Sequence, residues 1–104
     1  MSEAVFDELI HAPRRLQICA MLAAVDSMEF STVRETLGVS ESVLSKHVKV
    51  LNSAGYVTMT KATRSSHIRT WLTLTAAGRD ALAGHLAELR RIAELATAVH
   101  DVQD

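Results

Sequence analysis

The chain has 104 residues, of which 48% are hydrophobic, which is enough for one domain with a single core. An isoelectric point near 6.5 excludes a non-specific polyelectrolyte binder. No apolar run approaches the roughly 18 residues of a membrane span, the N-terminus opens acidic rather than basic, and Cys19 has no second cysteine for a disulfide. We therefore predict a cytoplasmic protein, a single domain over residues 1–104, with no membrane segment or signal peptide.

Three short elements are predicted before residue 31. Ser2 to Ile10 has the spacing of an amphipathic helix, and Pro13 fits the first position of a second helix that runs to about Val25. Residues 28–30 form a short extended segment. The apolar side of the first helix consists of Val5, Phe6, Leu9 and Ile10.

Two helices with a tight turn between them are predicted over residues 31–55. The first, STVRETLG, begins at Ser31 as its N-cap and stops at Gly38; the second begins at Ser40 and ends at Gly55. Such a pair is a helix-turn-helix. In the second helix, Leu44, Val48 and Leu51 form the core stripe, and the opposite arc combines small polar side chains with lysines and has no acid: Ser42, Ser45, Lys46, Lys49, Asn52 and Ser53. This arc suits close approach to phosphates and base edges.

After Gly55 the hydrophobic period changes from 3.6 to 2, which predicts a β-hairpin over residues 56–74. The two strands, residues 56–61 and 67–74, flank the five-residue loop ATRSS with Arg64 at its tip. A surface hairpin that needed charge only for solubility would carry acids as well, and this one has none. The whole run from Ser42 to Arg79 contains six cations and no carboxylate, which indicates a local basic patch.

Thr75 caps a last helix that continues to about His100. At 1.5 Å per residue it is roughly 38 Å long, more than a domain of this size covers by itself. The surplus apolar stripe predicts a two-fold dimer, the alternative being a frayed tail beyond Ile92. The predicted dimerisation residues are Val5, Phe6, Leu9, Leu82, Leu86, Leu89, Ile92, Ala93, Leu95 and Val99.

The segments SESVLSKHVKVLNSAGYV and RTWLTLTAAGRDAL resemble the recognition helix and the end of the wing in MarR-like and ArsR-like winged helix-turn-helix regulators of bacteria and archaea. The resemblance covers about Pro13 to Leu89. It implies a mainly α fold with a small β-hairpin (α+β), in which residues 1–12 and about 75–100 are dimerisation helices, 31–55 the helix-turn-helix and 56–74 the wing. It also implies a homodimeric regulator, with Ser40 to Asn52 in the major groove and Lys61 to Arg69 over the minor groove.

The sequence therefore predicts a sequence-specific regulator, a repressor by preference, that acts as a homodimer on a palindromic operator in double-stranded DNA. The alternative is a winged-helix module that binds another protein and not DNA. The predicted DNA-binding residues are Ser40, Ser42, Ser45, Lys46, Lys49, Lys61, Arg64, Ser65, His67 and Arg69. The prediction for His47 is a packed side chain rather than a base contact.

An enzyme is not expected, because the chain has neither a glycine-rich phosphate loop nor a nucleophile with a base at motif spacing. A metal site is not expected either, because His85 and Glu88 share a helix face without the spacing of a tetrahedral site. No cofactor is predicted. A small-molecule effector would lie between the C-terminal helices and the core, but no residue indicates its chemistry.

Overall fold

The computed structural model describes the backbone of residues 3–103 and the side chains of residues 3–63 and 65–98. The predictions for Ser2 and for the side chains of Arg64 and Val99 lie outside the described residues. The elements in chain order are α1 (Glu8–His11), α2 (Pro13–Ala23), β1 (Met28–Glu29), α3 (Phe30–Leu37), α4 (Glu41–Ser53), β2 (Val57–Arg64), β3 (His67–Leu74) and α5 (Ala76–Gln103). The predicted mainly α fold with a small sheet is confirmed.

The three strands form one antiparallel sheet in the order β1-β3-β2. The register pairs Met28 with Leu72 at one edge and Val57 with Leu74 at the base of the hairpin. Because side chains alternate along a strand, Val57, Leu72 and Leu74 all face the helices. The far half of the hairpin extends beyond the core, and its described side chains at positions 60–63 and 65–69 are exposed.

The core lies between the helices and the base of this sheet. Cys19 is part of it and is fully buried. Every element from α1 to α5 except β1 supplies at least one of the buried apolar residues: Ile10, Ile18, Cys19, Leu22, Val33, Leu44, Val48, Leu51, Val57, Leu72, Leu74 and Leu82. No helix in the described part of the chain combines the length and the apolar character needed to cross a bilayer.

The prediction of one helix from Ser2 to Ile10 is wrong. Residues 3–7 are not helical, and Asp7 instead caps the single turn of α1 by accepting a hydrogen bond from the Ile10 N–H at 3.0 Å. The preceding segment lies along α5, where the Val5 N–H donates to the Gly84 carbonyl at 3.0 Å. This approach requires glycine, since a Cβ at position 84 would lie 2.8 Å from the Glu3 carbonyl oxygen.

Two further local predictions are wrong. The wing has no five-residue loop: its strands continue to a two-residue turn at Ser65 and Ser66, which have φ values of 53° and 66°. Positive φ at both positions matches the twist of a hairpin, so the strands pair up to the turn. Ser31 does not cap α3, which begins one residue earlier after Glu29; its hydroxyl donates to the Glu29 carboxylate at 3.0 Å.

Candidate nucleic-acid interface

The exposed face of α4 is the centre of the candidate interface. Gly38, at φ 67°, ends α3 in the left-handed conformation, and the Ser40 hydroxyl accepts a hydrogen bond from the Val43 N–H at 3.2 Å to begin α4. Leu44, Val48 and Leu51 anchor the helix in the core. The opposite arc is exposed, as the sequence predicts, and it displays Ser42, Ser45, Lys46 and Lys49 with Ser40 at its start.

Asn52, on the same arc, contacts the wing. Its side-chain amide donates to the Val57 carbonyl at 2.9 Å, which ties the end of α4 to the start of β2. The Tyr56 N–H donates to the Leu51 carbonyl at 3.0 Å across the same corner. The recognition helix and the wing are therefore joined by hydrogen bonds, so that their spacing is fixed.

The wing presents Lys61, Ser65 and His67 as exposed side chains. Arg69 is different, because its Nη1 donates to Glu29 Oε1 at 2.6 Å and to Oε2 at 3.3 Å. Glu29 is mostly buried and lies at the N-terminus of α3. Sequence reasoning missed this ion pair, because its partners are 40 residues apart. The ion pair places a carboxylate next to the wing, although the run from residue 42 to residue 79 contains no acid.

Arg79 does not lie in the basic patch. Its guanidinium donates to the carbonyls of Ala23 and Val25 at 2.9 and 3.1 Å, so it satisfies orphan carbonyls at the end of α2. Of the six cations in the acid-free run from Ser42 to Arg79, Arg79 therefore does not contribute to the basic surface.

His47 is half-buried on the flank of α4 that faces α2. Its Nδ1 lies 3.3 Å from Arg15 Nη1, and Arg15 Nε donates to the Leu9 carbonyl at 2.6 Å. Burial, followed by the positive charges of Arg15, Arg14 and Lys46, lowers the pKa of His47. The arginines at the start of α2 therefore lie close to the recognition helix, a proximity that the sequence did not indicate.

A second histidine, His85, is fully buried, although the sequence placed it only on a helix face with Glu88. The Asp7 N–H donates to His85 Nδ1 at 2.9 Å, and His85 Nε2 lies 3.1 Å from His11 Nδ1. The Phe6 ring packs 4.8 Å from both imidazoles. Burial, followed by the nearby His11, lowers the pKa of His85.

Asp7 links this histidine pair to the end of the recognition helix. The Tyr56 hydroxyl donates to Asp7 Oδ2 at 2.7 Å, and this hydrogen bond raises the pKa of Tyr56 to about 12. Tyr56 directly follows the glycine that ends α4. The N-terminal segment therefore supports the interface from behind, through a contact between residues 49 positions apart.

Metal ligands do not converge in the described side chains of residues 3–63 and 65–98, where no three His, Cys, Asp or Glu residues are grouped to hold an ion. Glu88, the partner considered for His85, instead accepts from Arg91 at 2.7 and 2.8 Å. The hydrogen bond from Arg91, helped by its charge, lowers the pKa of Glu88.

The predicted dimerisation residues divide into three groups. Val5, Phe6, Ile92, Ala93 and Leu95 are exposed, and Leu9, Leu86 and Leu89 are half-buried. Leu82 packs in the core of the single chain, so its side chain is not available to a second copy. The distal part of α5, residues 90–98, is exposed throughout.

Comparison with known proteins agrees with this geometry. A curated relative, an uncharacterized protein of Methanocaldococcus jannaschii, is 26% identical over 80 residues, which cover 77% of this chain and 87% of that protein. The structure of a transcriptional regulator homologue from Pyrococcus horikoshii OT3 matches with a TM-score of 0.80 at 24% identity, covering 85% of this chain and 87% of that one.

A zinc-responsive MarR family member from Lactococcus lactis matches with a TM-score of 0.59 at 20% identity, covering 85% of this chain and 60% of that one. The resemblance predicted from the recognition-helix and wing segments is thereby confirmed. The model of the winged helix DNA-binding domain matches residues 14–93, more than half of the sequence. The chain belongs to the winged helix DNA-binding domain family and has the fold of MarR-like transcriptional regulators.

Proposed function

We propose that the protein is a sequence-specific transcriptional repressor that binds a palindromic operator as a homodimer. The observation that carries the proposal is the exposed arc of α4, where Ser42, Ser45, Lys46 and Lys49 lie together. The acid of this helix, the exposed Glu41, is its first residue. Short hydroxyl side chains allow close approach to base edges, and the two lysines neutralise phosphates. An α-helix with such a face fits the major groove.

The wing extends the proposed contact to the adjacent minor groove. Lys61, Ser65 and His67 are exposed on the hairpin, and Arg64 precedes its turn in the sequence. Among the described side chains Arg69 uses only Nη1 for Glu29, so Nη2 and Nε can donate to a phosphate. Cations at a wing tip favour the minor groove, where the negative potential is enhanced when the groove is narrow.

The dimer is proposed from the helix α5. Its 28 residues span about 42 Å, and residues 90–98 have no cover within the chain. Ile92 and Leu95 are 42% and 53% exposed, one turn apart on one face. A two-fold dimer through this face would present two recognition helices to half-sites one helical turn apart, about 34–36 Å, on a palindrome.

Repression is proposed because it requires only occupancy of the operator, whereas activation also requires a surface that contacts the polymerase. In a transcription assay with purified components, the protein is expected to lower transcript yield from a promoter that carries its selected site. An increase in yield would refute the repressor assignment and leave DNA binding intact.

DNA binding is tested with a labelled duplex that the wild-type protein selects from a random-sequence pool. Lys49→Gln is expected to weaken binding by about 1–3 kcal/mol, with affinity falling steeply with salt. Arg90→Gln, an equal charge change at an exposed position of α5, is the matched control. If the wild type shows no preference for the selected duplex, a winged-helix protein-binding module replaces the repressor.

The dimer is tested by light scattering of Leu95→Glu against Thr97→Glu. Both positions are exposed on α5, but Thr97 lies off the apolar face. A glutamate at 95 would place an unpaired charge in the proposed interface and is expected to give monomers. Monomers from both variants, or dimers from both, would contradict an interface on the Leu95 face.

A further inference from the structure

We propose that the start of α2 and the adjacent flank of α4 form a second phosphate-binding site, in which Arg15, Lys46 and His47 hold one backbone phosphate of the DNA and Arg14 adds positive charge beside them. The site deepens the proposed function and rests on it. It shares only Lys46 with the polar arc of α4 and lies outside the wing, so it would add a phosphate contact on the α2 side of the recognition helix.

The geometry provides a cleft for this phosphate. A cleft of about 380 Å³ is lined by Arg15, Lys46 and His47, with Val43 and Val50 as its apolar walls. Both valines are exposed on a helix whose other aliphatic side chains are buried. A phosphodiester is flanked by deoxyribose rings, whose apolar faces suit such walls. The cleft therefore matches the alternation of charge and apolar surface along a DNA strand.

Positive charges surround the His47 imidazole in this cluster. Arginine has only donors, so the contact between Arg15 Nη1 and His47 Nδ1 requires Nδ1 to accept. The imidazole is then neutral, with its hydrogen on Nε2. The charged groups that act on it are Arg15 and Arg14 from α2 and Lys46 from its own helix, and none of these is a carboxylate. The three cations around the neutral imidazole repel one another, and the attraction of a bound phosphate for each of them would offset that repulsion.

Arg15 is held in position for this role before any ligand arrives. Its Nε donates to the Leu9 carbonyl at 2.6 Å, so its guanidinium is fixed at the mouth of the cleft. Arg14 is exposed and reaches only Gln17, at 3.3 Å, among the described side chains. Lys46 borders both the cleft and the polar arc of α4. A phosphate in the cleft would thus belong to a strand that borders the groove occupied by α4.

The chemistry predicts that binding at this site takes up a proton. A phosphate oxygen beside His47 favours the imidazolium and can accept from both the ring and Arg15 in place of their mutual hydrogen bond. Since the free protein holds this ring neutral, the complex binds more protons than its separate components do. DNA affinity should therefore rise as the pH falls from 8 to 6.

The first test compares Arg14→Gln with Arg90→Gln by fluorescence anisotropy, on both the selected duplex and a random 30-base-pair duplex over a range of salt concentrations. Arg14→Gln should weaken binding to both duplexes by the same factor and reduce the slope of log affinity against log salt by about 1. Both positions are exposed, so folding is not at risk. If Arg14→Gln has the same affinities and the same salt slope as Arg90→Gln, the site is refuted.

The second test measures the same affinities at pH 8 and pH 6. The wild type should gain about three- to tenfold more affinity than His47→Gln, within the tenfold per pH unit that one linked proton allows. Equal pH dependence in the two proteins would overturn the site. If the wild type binds the selected and the random duplex equally, the repressor proposal is refuted. If it binds neither duplex, both the repressor proposal and the second phosphate-binding site are refuted. A preference that persists with unaltered Arg14→Gln and His47→Gln affinities would overturn this site alone.

Discussion

Acidification is expected to destabilise the protein through His85. This imidazole is 0% exposed, and both of its nitrogens are engaged. Because the Asp7 N–H donates to Nδ1, the neutral ring carries its hydrogen on Nε2 and donates it to His11 Nδ1. A proton added to Nδ1 would face the hydrogen of the Asp7 amide. Burial, followed by the nearby His11, lowers the pKa of His85, so the folded state resists protonation.

The size of the effect follows from proton linkage. A histidine with a lowered folded-state pKa contributes its full stability above the unfolded value near 6.5 and loses it as the pH falls further. In that range the unfolded chain binds one more proton, and each pH unit removes at most about 1.4 kcal/mol. Because the unfolded histidine is only half protonated at pH 6.5, the loss between pH 6.5 and 5.0 is at most about 1.6 kcal/mol, a sizeable part of the 5–15 kcal/mol that is typical of folded proteins.

The assay is urea denaturation of the wild type and His85→Asn at pH 7.5, 6.5, 5.5 and 5.0, at one protein concentration because a dimer would couple stability to concentration. The asparagine oxygen keeps an acceptor for the Asp7 amide but does not titrate. The variant is expected to be less stable at pH 7.5 and to lose less stability than the wild type between pH 6.5 and 5.0, by up to about 1.6 kcal/mol. Identical losses in the two proteins would refute the role of His85.

Two other substitutions test the packing of the elements that position the interface. Gly78→Ala would place a Cβ 2.3 Å from the Tyr56 carbonyl oxygen, so a backbone shift is required and a loss of about 3 kcal/mol in unfolding free energy is expected; a near-neutral urea midpoint would show that α5 can move away. Ser40→Ala removes the acceptor for the Val43 N–H and is expected to cost about 1 kcal/mol by the same assay, and an unchanged midpoint would mean that the cap does not stabilise α4.

The recognition helix was predictable because its signals are local. Ser40 accepts from an amide three residues ahead, and Gly38 and Gly55 adopt the positive φ values that end helices. The alternation of the wing strands was predictable for the same reason, since a period of two residues is set within the strand. The length of the wing turn was not, because two serines at positive φ carry a weaker signal than an Asn-Gly pair.

The contacts that the sequence did not reveal join residues far apart in the chain. His85 and the Asp7 amide are 78 residues apart, and Arg69 and Glu29 are 40 apart. Neither pair has a periodicity that a pattern could detect. The same reason explains why the helix predicted from Ser2 to Ile10 was wrong. The Val5 N–H bonds to the Gly84 carbonyl of α5 rather than within a helix of its own. In each case a distant partner outweighed the local preference.

These distant contacts give two of the acidic residues, Asp7 and Glu29, a common role. Asp7 accepts from Tyr56 at the end of α4, and Glu29 accepts from Arg69 in the distal half of the wing. Both carboxylates therefore lie behind or beside the basic surface and hold its two parts in position, while the acid of α4 itself, the exposed Glu41, is the first residue of the helix. A carboxylate facing DNA would repel phosphates, but one that fixes a cation reduces the rotamer entropy lost on binding. The near-neutral net charge of the chain is thus compatible with a nucleic-acid interface, because two of its acids, Asp7 and Glu29, support the surface that the cations present.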